Sequence, residues 1–304
     1  MLGYFGPAGT FTHQALLTIS DAEAVPYATV GQAVAAVRSG EIEAALVPIE
    51  NSVEGGVSAT LDILASGRRL VITKEVLLPV QFNLYARPGT TADQVRRVLI
   101  LPHSAAQTRG WMASNLPEAV VTEGGSNAAS AQEVADPESR YDAAICGQIA
   151  GEMYGLVPVA TEIADNASAV TRFVLVSRPT EPTQPTGADK TTLVAYMHTD
   201  RAGALLEILD QFSNRGVSLS RIESRPTKTG LGNYCFSIDA EGHMREPRLA
   251  EAMLGLHRIC AEVVFLGSYP RADGERTQVA SGFTDADFAA AREWYATLVH
   301  PEDD

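Results

Sequence analysis

A chain of 304 residues with 45% apolar content has the material for two or three domains with real cores. Its formal charge of -14, with 23 Lys and Arg scattered along the chain, argues against nucleic-acid binding, which needs basic groups gathered on one face. No run reaches the ~18 apolar residues of a membrane span, the N-terminal MLGYFGPAGTF carries no export signal, and Cys146, Cys235 and Cys260 lie apart without CxxC spacing or a histidine cluster. A cytoplasmic protein with reduced core thiols and no metal is therefore expected. An anionic ligand would be repelled by the overall field, so its attraction has to come from local donors.

The first half alternates short β-rich runs with alanine-rich amphipathic stretches, which predicts α/β layers. LGYFG reads as a strand, TFTHQALLTI as a helix, TVGQAVAAVRSG as a helix closed by Gly40, and AALVPIE as a strand. SATLDILASG predicts a helix stopped by Gly67, and LVITKEVLLPVQFNLYA one or two strands. VRRVLILP, AVVTEG and YDAAICG read as strands separated by helices in SAAQTRGWMASN and SNAASAQEVAD. YGLVPVATEI then leads through the polar ADNAS into TRFVLVS, completing two similar lobes over residues 1–179.

Composition changes at SRPTEPTQPTGADK, where proline and threonine replace apolar periodicity, and a linker is placed at residues 180–190. Residues 191–270 follow the order βαββαβ of a ferredoxin-like domain. The tail, residues 271–304, holds one amphipathic helix in TDADFAAAREWYATLV, opened by an Asp or Thr cap and expected to pack on a neighbouring surface.

Five stretches hold groups suited to chemistry. GPAGTFTHQAL places a glycine-rich turn before a helix, which leaves N–H groups near Thr10 and Phe11 for an anion or simply makes a turn. VPIENSVEGG ends a buried strand on Glu50, Asn51 and Ser52, where ligands of open α/β sheets bind and where turn and cap residues also belong. ILPHSAAQTRGW offers His103 for proton transfer or the surface, and Ser104 as a cap. VVTEGGSNAA sets Glu123 at a strand end, with Ser126 as a cap. SAVTRFVLVS puts Thr171 and Phe173 on one face of a strand and Arg172 on the other, a polar strand edge or a site.

Taken in order and at these separations, GPAGTFTHQAL, VPIENSVEGGV and TRF resemble the catalytic half of a prephenate dehydratase, and GALLEIL and IESRP resemble its C-terminal ACT regulatory domain; the resemblance spans about Gly3 to Pro270. It implies an α/β chain with a two-lobed, periplasmic-binding-protein-like catalytic domain and a ferredoxin-like ACT domain. The implied reaction is conversion of prephenate to phenylpyruvate, water and carbon dioxide in L-phenylalanine biosynthesis, with no cofactor. The family assigns its essential threonine to Thr171, here expected to act on the departing hydroxyl. Glu50 or Glu123 would supply or relay charge and Asn51 would orient the substrate, with Thr10, Phe11, Ser52, His103, Arg172 and Phe173 as further substrate contacts. Where many relatives read Ser-His-Pro-Gln and then Gln-Cys, this chain has Pro102-His103-Ser104-Ala105 and then Arg109-Gly110, so only His103 is carried over from that group. Arogenate dehydratase and a non-catalytic two-lobed sensor are the rival readings.

The ACT resemblance further implies a homo-oligomer, dimer or tetramer, that binds L-phenylalanine as effector between subunits. Gly203, Ala204 and Leu205 would form one wall, with Glu223, Ser224, Arg225 and Pro226 as the other. Ser218 stands where relatives often have asparagine. A ferredoxin-like domain that only pairs subunits is the bland alternative.

Overall fold

The structure, a computed structural model, describes residues 1–199, 201–227 and 234–299. These fall into two compact units: Met1–Thr60 with Val76–Val176, and Leu61–Glu75 with the chain from Ser177 onward.

Residues 2–79 form β1 (Leu2–Phe5), α1 (Phe11–Leu17), β2 (Ala24–Tyr27), α2 (Val30–Ser39), β3 (Ala44–Asn51), the two-residue β4 (Gly55–Gly56), α3 (Ser58–Leu64) and β5 (Val71–Pro79), and make up the first lobe apart from residues 61–75, which belong to the second unit. The second lobe contains β6 (Asn83–Ala86), β7 (Arg97–Ile100), α4 (Pro102–Gln107), α5 (Arg109–Asn115), β8 (Val120–Glu123), α6 (Asn127–Ala135), β9 (Ala143–Cys146), α7 (Gln148–Met153) and β10 (Val157–Ala160). The chain then returns to the first lobe as β11 (Val170–Ser177). Strand order is β2-β1-β3-β11-β5, with β4 beside β3, in the first sheet and β10-β6-β9-β7-β8 in the second. The two crossings between lobes are bonded to each other, the Val80 N–H donating to the Ala169 carbonyl at 2.8 Å. The two lobes are thus joined by paired crossings.

Local chemistry accounts for these elements. In α2, Val30, Ala33, Val34 and Val37 are buried at helical spacing, and Gly40 ends the helix at φ 88°, a left-handed cap that costs glycine no Cβ clash. Strand β3 has a nearly continuous buried run because its sheet is covered on both faces. Leu46 and Phe173 join Tyr4, Leu16 and Leu78 in the first lobe's core, each large apolar side chain contributing ~1.5–3 kcal/mol on burial.

Two predicted features differ. The expected single helix over 104–115 is broken at Thr108, whose hydroxyl donates to the Ser104 carbonyl at 2.9 Å. The Asp165 carboxylate accepts from the Gly110 and Trp111 amides at 2.9 and 3.0 Å and starts α5 afresh. Helix α7, following the glycine of the predicted YDAAICG strand, is additional to the sequence reading. Ser126 is a cap, accepting from the Ala129 amide at 3.0 Å.

The second unit contains β12 (Asp189–Tyr196), α8 (Ala204–Ser213), β13 (Leu219–Pro226), β14 (Tyr234–Glu241), α9 (Pro247–Ile259), β15 (Glu262–Pro270) and α10 (Asp285–Val299). Its antiparallel sheet has the order β13-β14-β12-β15. One face, carrying Leu193, Phe236 and Ile238, packs on Phe212 of α8 and Leu249 and Leu256 of α9. By the two-residue period the other face is polar: Arg221 donates to Asp239 at 2.9 Å, and Thr192 bonds to both Asp239 and Tyr269 at 2.6 Å. On the same unit, Lys190 and the buried Glu75 form an ion pair at 3.0 Å, and Arg225 pairs with Asp62 at 3.0 Å.

Thr284 caps α10, its amide and hydroxyl both donating to Asp287. This helix buries no side chain and touches α9 through Arg292 and Glu251, so the expected packing is confined to a salt-bridged edge. Among the described residues no helix is long and apolar enough to cross a membrane, and no group of three or more His, Cys, Asp or Glu is placed to hold a metal. The three cysteines are buried free thiols, and burial pushes Cys146 up to about 12.

Candidate active site

The ends of β3 and β11 are locked side by side. The Ser52 amide donates to the Val170 carbonyl, and the Val170 amide donates to the Ser52 hydroxyl, both at 2.9 Å. Ser52 therefore works as a clamp on the residue before Thr171.

Beside that clamp, the Asn51 Nδ2 donates to Thr171 Oγ1 at 2.9 Å. The Asn51 Oδ1 accepts from the amides of Val53 and Glu54 at 2.8 and 3.2 Å, which fixes the amide plane and makes Nδ2 the end facing Thr171. Having accepted one hydrogen bond, the buried Thr171 hydroxyl retains its own proton for donation. One residue on, the alternation sends Arg172 to Glu50, with Nη1 and Oε2 3.2 Å apart. Arg172 is buried and Glu50 partly open, so the pair sets a desolvated cation into the wall formed by these two strands.

The second lobe contributes His103 from α4. Its Nδ1 meets the carboxylate of Glu54, from the first lobe, at 2.5 Å, and its Nε2 meets the side-chain amide of Gln107 at 2.7 Å. With Gln107 presenting its NH2, Nε2 accepts, so Nδ1 carries the proton given to Glu54. Glu54 and Gln107 both escaped the sequence reading. The signals were local ones: Glu54 lies within the VPIENSVEGG turn, and Gln107 follows His103 by one helical turn.

The remaining predicted residues are placed differently. Thr10 caps α1: its hydroxyl accepts from the His13 amide at 3.3 Å and donates to the Pro7 carbonyl at 2.9 Å. The Gly9 amide is already given to His13 Nδ1 at 3.1 Å, so the turn has spent donors that an anion would have used. His13 stacks on Tyr4, and burial pushes its pKa down. Phe11 packs edge-on against Phe82, with ring centroids 5.6 Å apart, and touches the cores of both lobes. Phe173, expected among the substrate contacts, is only 2% exposed and lies in the first lobe's core. Ser104 is fully buried inside α4 and donates to Asn127 at 2.8 Å, so it is not the expected helix cap. Glu123 stands at the exposed end of β8 and shares a recess with Arg109, apart from the hydrogen-bonded group around Thr171.

In the C-terminal unit, Gly203 precedes α8 at φ 85°, and Leu205 is partly exposed on its first turn. The Ser218 carbonyl accepts from the Glu241 amide at 2.8 Å. The expected second wall, however, divides by strand alternation. Ser224 pairs in register with Phe236 on the helix-covered face, whereas Glu223 and Arg225 oppose Ser237 and Cys235 on the polar face, where Arg225 meets Asp62. Pro226 closes β13.

Compared with known proteins, residues 2–181 match the family described as prephenate dehydratase and residues 191–258 match the ACT domain. A prephenate dehydratase of Amycolatopsis methanolica is 45% identical over 99% of this chain and 98% of its own length. The crystal structure of prephenate dehydratase from Arthrobacter aurescens in complex with L-Phe is 49% identical, covers 98% of this chain and 99% of its own, and superposes with a TM-score of 0.93. A structure described as GqqA, a novel type of quorum quenching acylase, is 28% identical, covers 88% of this chain and 97% of its own, and has a TM-score of 0.79. Matched at such identity from end to end, with both of its segments accounted for, the chain belongs to the prephenate dehydratase family and carries an ACT domain.

Proposed function

We propose that this protein converts prephenate to phenylpyruvate, water and carbon dioxide, and that L-phenylalanine bound to its ACT domain inhibits it. The observation that carries the reading is the Thr171 hydroxyl, held by Asn51 with its own proton undirected, on a strand end of a two-lobed cleft. In the reaction the bond from the ring to its carboxylate breaks and carbon dioxide leaves. The freed electron pair enters the ring, the bond to the ring hydroxyl breaks, and the departing oxygen takes a proton from solvent to become water. Aromatisation drives the sequence, so what the protein must assist is departure of that oxygen.

An alcohol is far too weak an acid to be the proton source, and the Thr171 O–H serves as an aligned hydrogen-bond donor to the developing hydroxide. Asn51 fixes the hydroxyl's acceptor side and so sets the direction of its donation. Arg172 and Glu50 act together: the carboxylate compensates the buried guanidinium, and the pair fixes the two strand ends that carry Asn51 and Thr171. His103 is tied through its Glu54 partner to the turn held by Asn51.

For the effector, the turn at Gly203 and the apolar Leu205 suit a carboxylate next to a side chain, and the Arthrobacter relative was crystallised with L-Phe. The reading includes assembly of subunits through the ACT domain and a cytoplasmic location. The test is incubation of the purified chain with prephenate and, separately, arogenate. Phenylpyruvate from the first, suppressed by L-phenylalanine, is the expected result; phenylalanine from arogenate at a higher rate would reassign the substrate, and no turnover of either would favour a binding protein.

A further inference from the structure

The second lobe contains a cavity of about 310 Å3 that none of the proposed chemistry uses. Its volume falls at the lower end of small-molecule sites, ~300–1,000 Å3. The floor is apolar: Ile100, Ile145 and Met112 line it, all buried in the second lobe's core. Val121 of the edge strand β8 forms a wall and stays 46% exposed.

At the rim stand Arg109 and Glu123, on α5 and β8. Their side chains line one cavity yet form no ion pair or hydrogen bond with each other or with any other described residue. Arg109 is not on a loose loop, since the next two amides, of Gly110 and Trp111, are held by Asp165. One cation, one anion and an apolar floor between them match a small zwitterion with an apolar side chain. A dianion such as the proposed substrate is disfavoured by Glu123, and an uncharged apolar molecule would leave both rim charges unanswered.

We propose that this cavity binds a free amino acid with an aliphatic or aromatic side chain, its carboxylate on Arg109, its ammonium on Glu123 and its side chain on Met112. The site lies in the N-terminal unit, separate from Gly203 and β13. Its occupant would press on α4, the helix that lines the cavity with Pro102 and Ala106 and carries His103 and Gln107 on the cleft.

Met112 provides a local reporter. The intact protein, labelled with 13C at its methionine methyl groups and with the Met112 resonance assigned through Met112→Leu, is titrated with L-leucine, L-phenylalanine, 4-methylpentanoate and 3-methylbutylamine. The expected result is a saturable shift of the Met112 resonance with an amino acid, and at least tenfold weaker apparent affinity for both single-charge analogues. Arg109→Met should weaken amino-acid binding at least tenfold, and Ala106→Phe, which fills the cavity from α4, should abolish the shift. A Met112 resonance unmoved at millimolar amino acid, or moved equally by the analogues, overturns the proposal. So does a shift that survives Arg109→Met. The titration of the unaltered protein decides the matter even if a variant fails to fold.

Discussion

Arg172 is a buried charge of the site: its guanidinium is 6% exposed and pairs with Glu50, whose side chain is 34% exposed. Glu50→Gln removes the counter-charge while retaining a hydrogen-bond acceptor, so it should lower unfolding stability by about 1–3 kcal/mol, measured as a lower urea midpoint with unchanged slope. An unshifted midpoint would mean that Arg172 draws its compensation elsewhere. At this scale the sequence was informative about Asn51, Thr171 and Arg172, because the two-residue period of a strand separates their directions. It was misleading about Ser104 and Phe173, whose roles depend on what covers them, and uninformative about the contact of His103 with Glu54, which spans 49 residues of chain.

Among the elements, the turn between β14 and α9 should respond to acid. His243 is fully buried, its Nδ1 accepts from the Arg245 amide at 3.1 Å, and its Nε2 has no hydrogen-bond partner. Burial pushes its pKa below the usual 6.5, and the nearby carboxylates of Asp189 and Glu246 only partly oppose that. The folded state therefore refuses a proton that the unfolded state accepts as pH falls through about 6.5, and stability declines below that point until the folded imidazole titrates. His13 acts with the same sign. The decline should be at most ~1.4 kcal/mol per pH unit for each site, and His243→Gln should make the fall in Tm between pH 7 and pH 5 shallower. An unchanged slope would move the acid sensitivity to other groups.

Most elements were legible because they obey one period each: α2 ends on its glycine, and the βαββαβ order of the C-terminal unit appears strand by strand. The break at Thr108 was not, because Asp165, which captures the amides of α5, is more than fifty residues away. Nor could alternation alone assign residues 61–75 to the C-terminal unit, since the buried Glu75–Lys190 pair spans 115 residues.

For the whole molecule, the likeness to a structure described as an acylase shows why fold by itself does not choose a reaction; the site's residues must. The same reasoning applies to regulation. Gly203 adopts φ 85°, which a β-branched side chain resists, so Gly203→Val should distort the start of α8 and abolish inhibition by L-phenylalanine. Unchanged inhibition would place the effector elsewhere. Such inhibition can be no stronger than the effector's differential affinity for two arrangements of the protein.

The central claim is that the Thr171 hydroxyl assists departure of the ring oxygen. Steady-state turnover of prephenate by Thr171→Val and Thr171→Ser tests it most directly. The account predicts that valine lowers kcat by ~10²–10³-fold with KM nearly unchanged, whereas serine stays within about tenfold of the natural residue. A valine variant with near-normal kcat would contradict it.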